Sequence, residues 1–255
     1  MKTKLIILIT VLATGLITLN SCEKDEPKLK TDTEEQVNPE EPDEPEEPEE
    51  PEETKGIIKP GDKINSGAYI AFIKEGKLMA IDKENYENVK GEKKIIGSLV
   101  SDGTHSFIIS CKGFISGKFM SANVPIPEID YIAEENVGED FEGRKNTEVM
   151  KKFIAESEYT STMIERLTAY EYAEVKNWYV PAGGEMLMIV KHLKAITEIT
   201  KMSDDYEVID LQKSLVISTP NKYRFYFWFN DINRFYSNYK TRSDSYTCPI
   251  KEFKL

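Results

Sequence analysis

"NWYVPAGGEMLMIVKHL", residues 177–193, is the stretch on which the reading of the folded part turns. A Trp, a Pro and a Gly pair lead straight into an apolar run. Three readings compete: a loop that cradles phosphate, a catalytic turn, or the entry to a helix. A phosphate loop needs Gly, four residues, then Gly-Lys-Ser/Thr. No such run occurs, nor does G-x-G-x-x-G. A nucleophile elbow needs G-x-S-x-G, and Gly113-Phe114-Ile115-Ser116-Gly117 has the wrong spacing. The helix reading fits. Pro181 sits near the start, where its missing N–H costs little. Glu185 falls in the first turn, where the helix dipole favours an anion. Met186, Ile189, Val190, Leu193 and Ile196 recur at helical spacing on one face. Gly183 and Gly184 let one backbone approach another closely. The stretch is therefore expected to be a structural corner.

Around this corner the pattern mixes strands and helices. Residues 68–73 (AYIAFI) and 77–81 (KLMAI) are short apolar runs flanking Glu75-Gly76, the signature of a hairpin. Residues 93–100 and 106–115 flank Ser101-Asp102-Gly103-Thr104, a second turn signal. Residues 146–156 read as a helix with Asn146 or Thr147 as its cap. Met150, Phe153 and Ile154 would share its inner face. A further helix is expected over 161–175, with Ile164, Leu167 and Tyr170 or Tyr172 inward. Cys111 and Cys248 are the cysteines beyond position 22. They suit either a bridge or two buried thiols.

The first 54 residues are of a different kind. Lys2 and Lys4 precede an apolar run from Leu5 to Leu19, too short and wrongly flanked for a membrane span. Leu19-Asn20-Ser21-Cys22 resembles a bacterial lipobox. Residues 1–21 are thus expected to be a lipoprotein signal peptide, and Cys22 the lipidated residue. Glu23-Lys24-Asp25-Glu26 resembles the acidic surface-export signal of Bacteroidetes lipoproteins, which implies the outer membrane, facing the medium. Residues 23–54 hold 16 acidic and 3 basic residues, so their net charge of −13 accounts for the whole chain's −12 and the remainder is close to neutral. Its core is a Glu/Pro repeat with no apolar residue to seed a core. Extended at about 3.1 Å per residue, such a tether reaches roughly 100 Å. Residues 22–54 are read as a disordered linker and 55–255 as one domain, long enough to bury a sizeable core.

Two motifs in that domain are similar to a known family. Asp140-Phe141-Glu142-Gly143-Arg144-Lys145-Asn146-Thr147 looks like its "D-x-x-G-x-x-N-T", which opens a helix. Asn177-Trp178-Tyr179-Val180-Pro181-Ala182-Gly183-Gly184-Glu185-Met186 looks like its "G-W-Y-L-P-S-x-G-E-L". These resemble the Lcl C-terminal domain family. Its "W-S-S-T-E" is echoed by Val216-Ile217-Ser218-Thr219-Pro220, and its closing "R-x-V-R-P-V-R" by Thr247-Cys248-Pro249-Ile250-Lys251. The resemblance implies an α+β, C-type-lectin-like fold. Asn146, Thr147, Trp178, Pro181, Gly184 and Glu185 would be structural motif residues. The strand near 68–73 would pair with the one near 248–253, closing the domain's ends together. Ala182 stands where the family has Ser, which removes a helix cap.

Residues 223–239 (YRFYFWFNDINRFYSNY) are dense in aromatics. Alternation puts Tyr223, Phe225, Phe227 and Phe229 on one face of a strand. Arg224, Tyr226, Trp228 and Asn230 take the other. The Phe face belongs in a core. The second face, with Asp231 just beyond, is either a ligand-binding surface of rings, guanidinium and amide or a second buried face. Trp228-Phe229-Asn230-Asp231 resembles the "W-N-D" calcium motif of C-type lectins with one residue inserted, but no E-P-N or Q-P-D partner motif accompanies it. Neither metal nor cofactor is expected. His105 and His192 lack metal-ligand spacing, and no carboxylate pair is singled out for glycoside hydrolysis. A near-neutral domain without a basic stripe speaks against nucleic acid.

The expectation is a lipid-anchored outer-membrane surface protein that presents a non-enzymatic module binding a glycan or a protein. A structural part in a surface complex, or an enzyme acting on surface polymers, are the alternatives. Radiolabelled palmitate is expected to label the chain in cells and to be absent from Cys22→Ser. Equal labelling of both would remove the lipid anchor.

Overall fold

The computed structural model describes residues 56–89, 94–207, 215–221, 224–229, 234–239, 241 and 245–254. Cys22, the tether, Asn230 and Asp231 lie outside them. A short β1 (Ile57–Ile58) leads to the expected hairpin of β2 (Gly67–Lys74) and β3 (Lys77–Ile81). Glu75 and Gly76 both turn at positive φ, 52° and 74°, the geometry whose twist matches a two-residue hairpin. The Asp102-Gly103 turn joins β4 (Ile95–Ser101) to β5 (Ser106–Ser110). The second apolar run does not continue to 115. It breaks at Cys111–Gly113, where Gly113 adopts φ 69°, and resumes as β6 (Ile115–Gly117) in a different sheet.

Helices follow. α1 (Gly143–Glu156) begins three residues before the expected 146, so Asn146 and Thr147 lie inside it and do not cap it. Both are buried and turned to other segments. α2 (Thr162–Ala169) is capped by Ser161, whose Oγ accepts the Ile164 N–H at 3.0 Å. It stops well short of 175. Ala173 and Glu174 take positive φ, 49° and 66°, and close a tight turn bridged by Tyr172 and Val175. The opening stretch becomes α3 (Gly183–Thr200), with Met186, Ile189 and Ile196 buried and Val190 and Leu193 partly so. α3 packs on β2 and β4.

The remaining strands are β7 (Leu215–Asn221), β8 (Arg224–Phe229), β9 (Arg234–Tyr239), β10 (Ser245–Thr247) and β11 (Ile250–Glu252). The sheet orders are β1-β3-β2-β4-β5-β11 and β6-β10-β7-β8-β9. The described fold is thus a mixed α+β domain with two largely antiparallel sheets. The strand pairing implied by the family resemblance is corrected: β11 pairs with β5, and β2 sits between β3 and β4. The ends still meet by another route, since the Gly61 N–H donates to the Lys254 carbonyl at 2.8 Å.

The central strands of both sheets bury both faces. Leu99, Ile108, Val216, Phe225 and Phe227 enter one hydrophobic core. Their neighbours Val100, Ile109, Ile217, Tyr226 and Trp228 enter another. This corrects the ligand-binding reading of β8. Tyr226 and Trp228 are 1% and 2% exposed. The Tyr226 O–H donates to the Ile132 carbonyl at 3.1 Å, and Trp228 meets Phe235 edge to face at 5.2 Å. Arg224 is partly buried at the strand's start. A strand apolar on both faces is what double burial requires.

Trp228→Ala is expected to cost about 3–5 kcal/mol through the cavity it leaves, read from urea unfolding. A loss below about 1 kcal/mol would mean that this second core is not packed as described.

Candidate functional site

The two family-like motifs meet at the N-terminus of α3. A helix start carries N–H groups with no partner inside the helix, and Ala182 offers no side-chain acceptor. Three neighbours take that role. The Glu185 carboxylate reaches back to the Ala182 N–H at 2.6 Å. Thr219 Oγ1 accepts the Gly183 N–H at 2.9 Å, and the Asp140 carbonyl accepts the Gly184 N–H at 2.7 Å. Thr219 in turn donates to Asp140 Oδ2 at 2.6 Å, where Asn146 Nδ2 also points at 3.4 Å. Thr147 Oγ1 accepts the Val180 N–H at 3.0 Å. The Trp178 indole N–H is held by the Val175 carbonyl at 2.9 Å.

The glycines are required here. A Cβ on Gly143 would strike Glu185 and the Ala182 backbone; one on Gly184 would overlap the Phe141 ring. Gly183 lies against the Val137 backbone. Asn146, Thr147, Gly184 and Glu185 thus gather at this buried junction, Pro181 contributes its carbonyl to the Ser218 N–H at 2.8 Å, and Trp178 packs in the neighbouring core.

A cleft of about 340 Å³ opens beside this junction. Its floor holds Tyr179 and Glu185, joined by a 3.0 Å hydrogen bond from the Tyr179 hydroxyl. One wall is a stacked pair, His105 on Phe141, with ring centres 3.8 Å apart and planes 7° from parallel. Asp102 steadies that wall. Its Oδ1 accepts the Thr104 and His105 amides, and its Oδ2 meets the His105 ring at 3.1 Å. Partial burial works against ionisation of Asp102, but the His105 amide and ring and the Thr104 amide outweigh it and hold the carboxyl below its ordinary value. The rim carries Arg144, paired with Glu252, and Lys254.

Glu185 is the unusual group. Burial pushes its carboxyl up to about 8, against the pull of the Ala182 N–H and Tyr179, and Asp140 and Glu142 raise it further. The shift favours its protonated form. Tyr179 is raised as well, first by burial and then by Glu185. Burial pushes the Cys111 and Cys248 thiols to about 12, and both are unbridged and buried, which makes them packing groups rather than nucleophiles. Among the described residues no group of three or more His, Cys, Asp or Glu is placed to hold a metal ion.

Of the predicted ligand residues, Tyr226 and Trp228 are in the core, Arg224 is on β8 away from this cleft's lining, and Asn230 and Asp231 fall outside the described residues. The cleft residues the sequence reading passed over are Phe141 and Arg144, which lie within a quoted motif, Tyr179, which lies within the other, and His105 and Glu252. Position alone distinguishes the last two. No family model, curated protein or solved structure matches the chain, so the Lcl resemblance stands on its motifs.

Glu185 gives a pH dependence of known sign. Folded, it keeps its proton to about pH 8; unfolded, it loses it near the ordinary value of 4.5. Between these, unfolding releases a proton, so stability falls as pH rises and levels off above about 8. Glu185→Gln keeps the side chain's size and one acceptor oxygen for the Ala182 N–H, turns its amide NH2 toward the Tyr179 oxygen, and removes the titration. Urea midpoints of the wild type should fall between pH 5 and pH 8.5, and those of the variant distinctly less. Parallel curves would mean that the buried acid is ionised.

Proposed function

We propose that this chain is a lipid-anchored protein of the outer-membrane surface whose domain is a non-enzymatic module binding a glycan or another surface protein. The observation that carries the reading is the cleft between the His105–Phe141 stack and the Arg144–Glu252 rim. Its floor is made of groups already committed to one another: Tyr179 to Glu185, and Glu185 to the Ala182 amide. A site of that kind suits holding a ligand, since the Glu185 carboxyl is committed to Tyr179 and the Ala182 amide and Glu252 is paired with Arg144. The rim and wall supply charge and flat rings, the mixture by which small sites fix orientation.

The C-type-lectin-like reading of the fold belongs to the same proposal. It is supported by the interlocking of the two motifs and by the meeting of the domain's ends at Gly61 and Lys254. The departure is the β5–β11 pair in place of a direct β2–β11 pair. The signal peptide, Cys22 and the acidic stalk complete it, lifting the module off the membrane.

The full chain in detergent micelles, applied to a glycan panel and crosslinked on intact cells, is expected to retain a discrete ligand. Phe141→Ala should weaken that retention at least tenfold. Release of a chemically altered ligand would replace the binding module by an enzyme; a ligand held equally by the variant would place the site elsewhere.

A further inference from the structure

The cleft does not end at Arg144. A second cleft, of about 270 Å³, lies on the other side of the Arg144–Glu252 pair and shares Arg144, Tyr179, Glu252, Phe253 and Lys254 with the first. The two are halves of one trough, divided by an ion pair. Arg144 is 61% exposed and Glu252 40% exposed in their side chains. An exposed pair of this sort contributes little to stability, so another carboxylate can take over the guanidinium at small cost.

The charges in the trough are unequal. Arg144, Lys251 and Lys254 line it, against Glu252 and a buried Glu185 already bound to Tyr179 and the Ala182 amide. Lys251 registers the imbalance: burial lowers its ammonium below the ordinary value, and Arg144 lowers it further, more than Glu252 restores. A ligand with a negative group relieves this crowding.

Two neutral hydrogen-bonding groups at the centre of the trough are taken. Ser106 Oγ donates to the Phe253 carbonyl at 2.5 Å, and the Tyr179 hydroxyl is bound to Glu185. The surface left to recognise a ligand is made chiefly of cations and of the Phe141 and His105 rings, with Thr104 and Asn177 at its two ends. A polyhydroxyl ring needs many neutral donors and acceptors. A carboxylate on an apolar body needs a guanidinium and a greasy wall.

We propose that the trough binds the free C-terminal end of a peptide, its carboxylate taken by Arg144 in place of Glu252 and its apolar last side chain laid against Phe141. This rests on the binding-module reading above and narrows its ligand to a protein chain end. Arg suits the task because its planar fork matches a carboxylate in two-pronged fashion. Glu252 then acts as an internal competitor for that fork.

The test uses the full chain in micelles and a fluorescein-labelled hexapeptide ending in Leu-Phe, as the free acid and as the C-terminal amide. Fluorescence polarisation should show the free acid bound at least tenfold more tightly than the amide, with affinity falling as salt rises. Arg144→Gln should remove that preference. Glu252→Gln, which frees Arg144, should tighten the free acid several-fold, and this gain of function cannot arise from misfolding. Equal binding of acid and amide, or no gain in Glu252→Gln, overturns the proposal. Arg144-dependent binding of a uronate-ended oligosaccharide with none of the peptide also overturns it, and leaves the binding-module reading standing. Binding of neither there, with no ligand on the glycan panel or in cells, removes both.

Discussion

The structure depends on the first turn of α3. Its amide groups are buried, and its N-cap is an alanine that accepts nothing. A buried N–H without an acceptor costs of order 1–3 kcal/mol, so the turn stands only if other segments come to it. They do: Asp140 from the loop before α1, Thr219 from β7, and Glu185 from within the helix. One unmet local need thus joins the middle of the chain to a strand near its end. The same need explains the glycines. Gly143, Gly183 and Gly184 leave room for Glu185, Val137 and Phe141, with which any side chain there would collide.

Glu185 shows how a structural duty creates an unusual chemical group. Sealing the helix start buries its carboxyl beside Tyr179, and burial holds the proton on it. Perturbed acids cluster at functional sites, yet structural networks produce them too. Here both carboxyl oxygens are engaged, which makes the acid a fixed floor for the cleft. The cleft's character comes instead from its rim and wall, where Arg144, Glu252, Phe141 and His105 keep exposed surface.

Some of this was legible from residues alone. Glu75-Gly76 and Asp102-Gly103 announce their turns because glycine accommodates positive φ. Apolar spacing from Met186 to Ile196 announces α3. The strand at 224–229 was legible as a strand but ambiguous as a surface, since alternation separates its two faces without saying what covers either. The second sheet face is covered by α3 and its neighbours, a tertiary fact. The turn at Ala173-Glu174 was illegible for a different reason. Both residues favour helices, and only the surrounding packing makes them adopt left-handed backbone.

Sequence by itself determined the contrast between an acidic, proline-rich N-terminal stretch and a near-neutral remainder rich in apolar residues, because composition decides whether a segment has apolar surface to bury. The motif resemblance also marked residues that lie at the start of α3, Gly184 and Glu185 among them, but not that Asp140 and Thr219 come to meet them there. Only the tertiary structure decided where the open surface lies. His105 and Glu252 are distant in sequence from the motif holding Phe141 and Arg144, and each is unremarkable in its own neighbourhood. They become a wall and a rim because β5 and β11 pair side by side and carry them to the helix start. Pairing of distant strands is set by the sum of many packing contacts, which no local pattern of residues records.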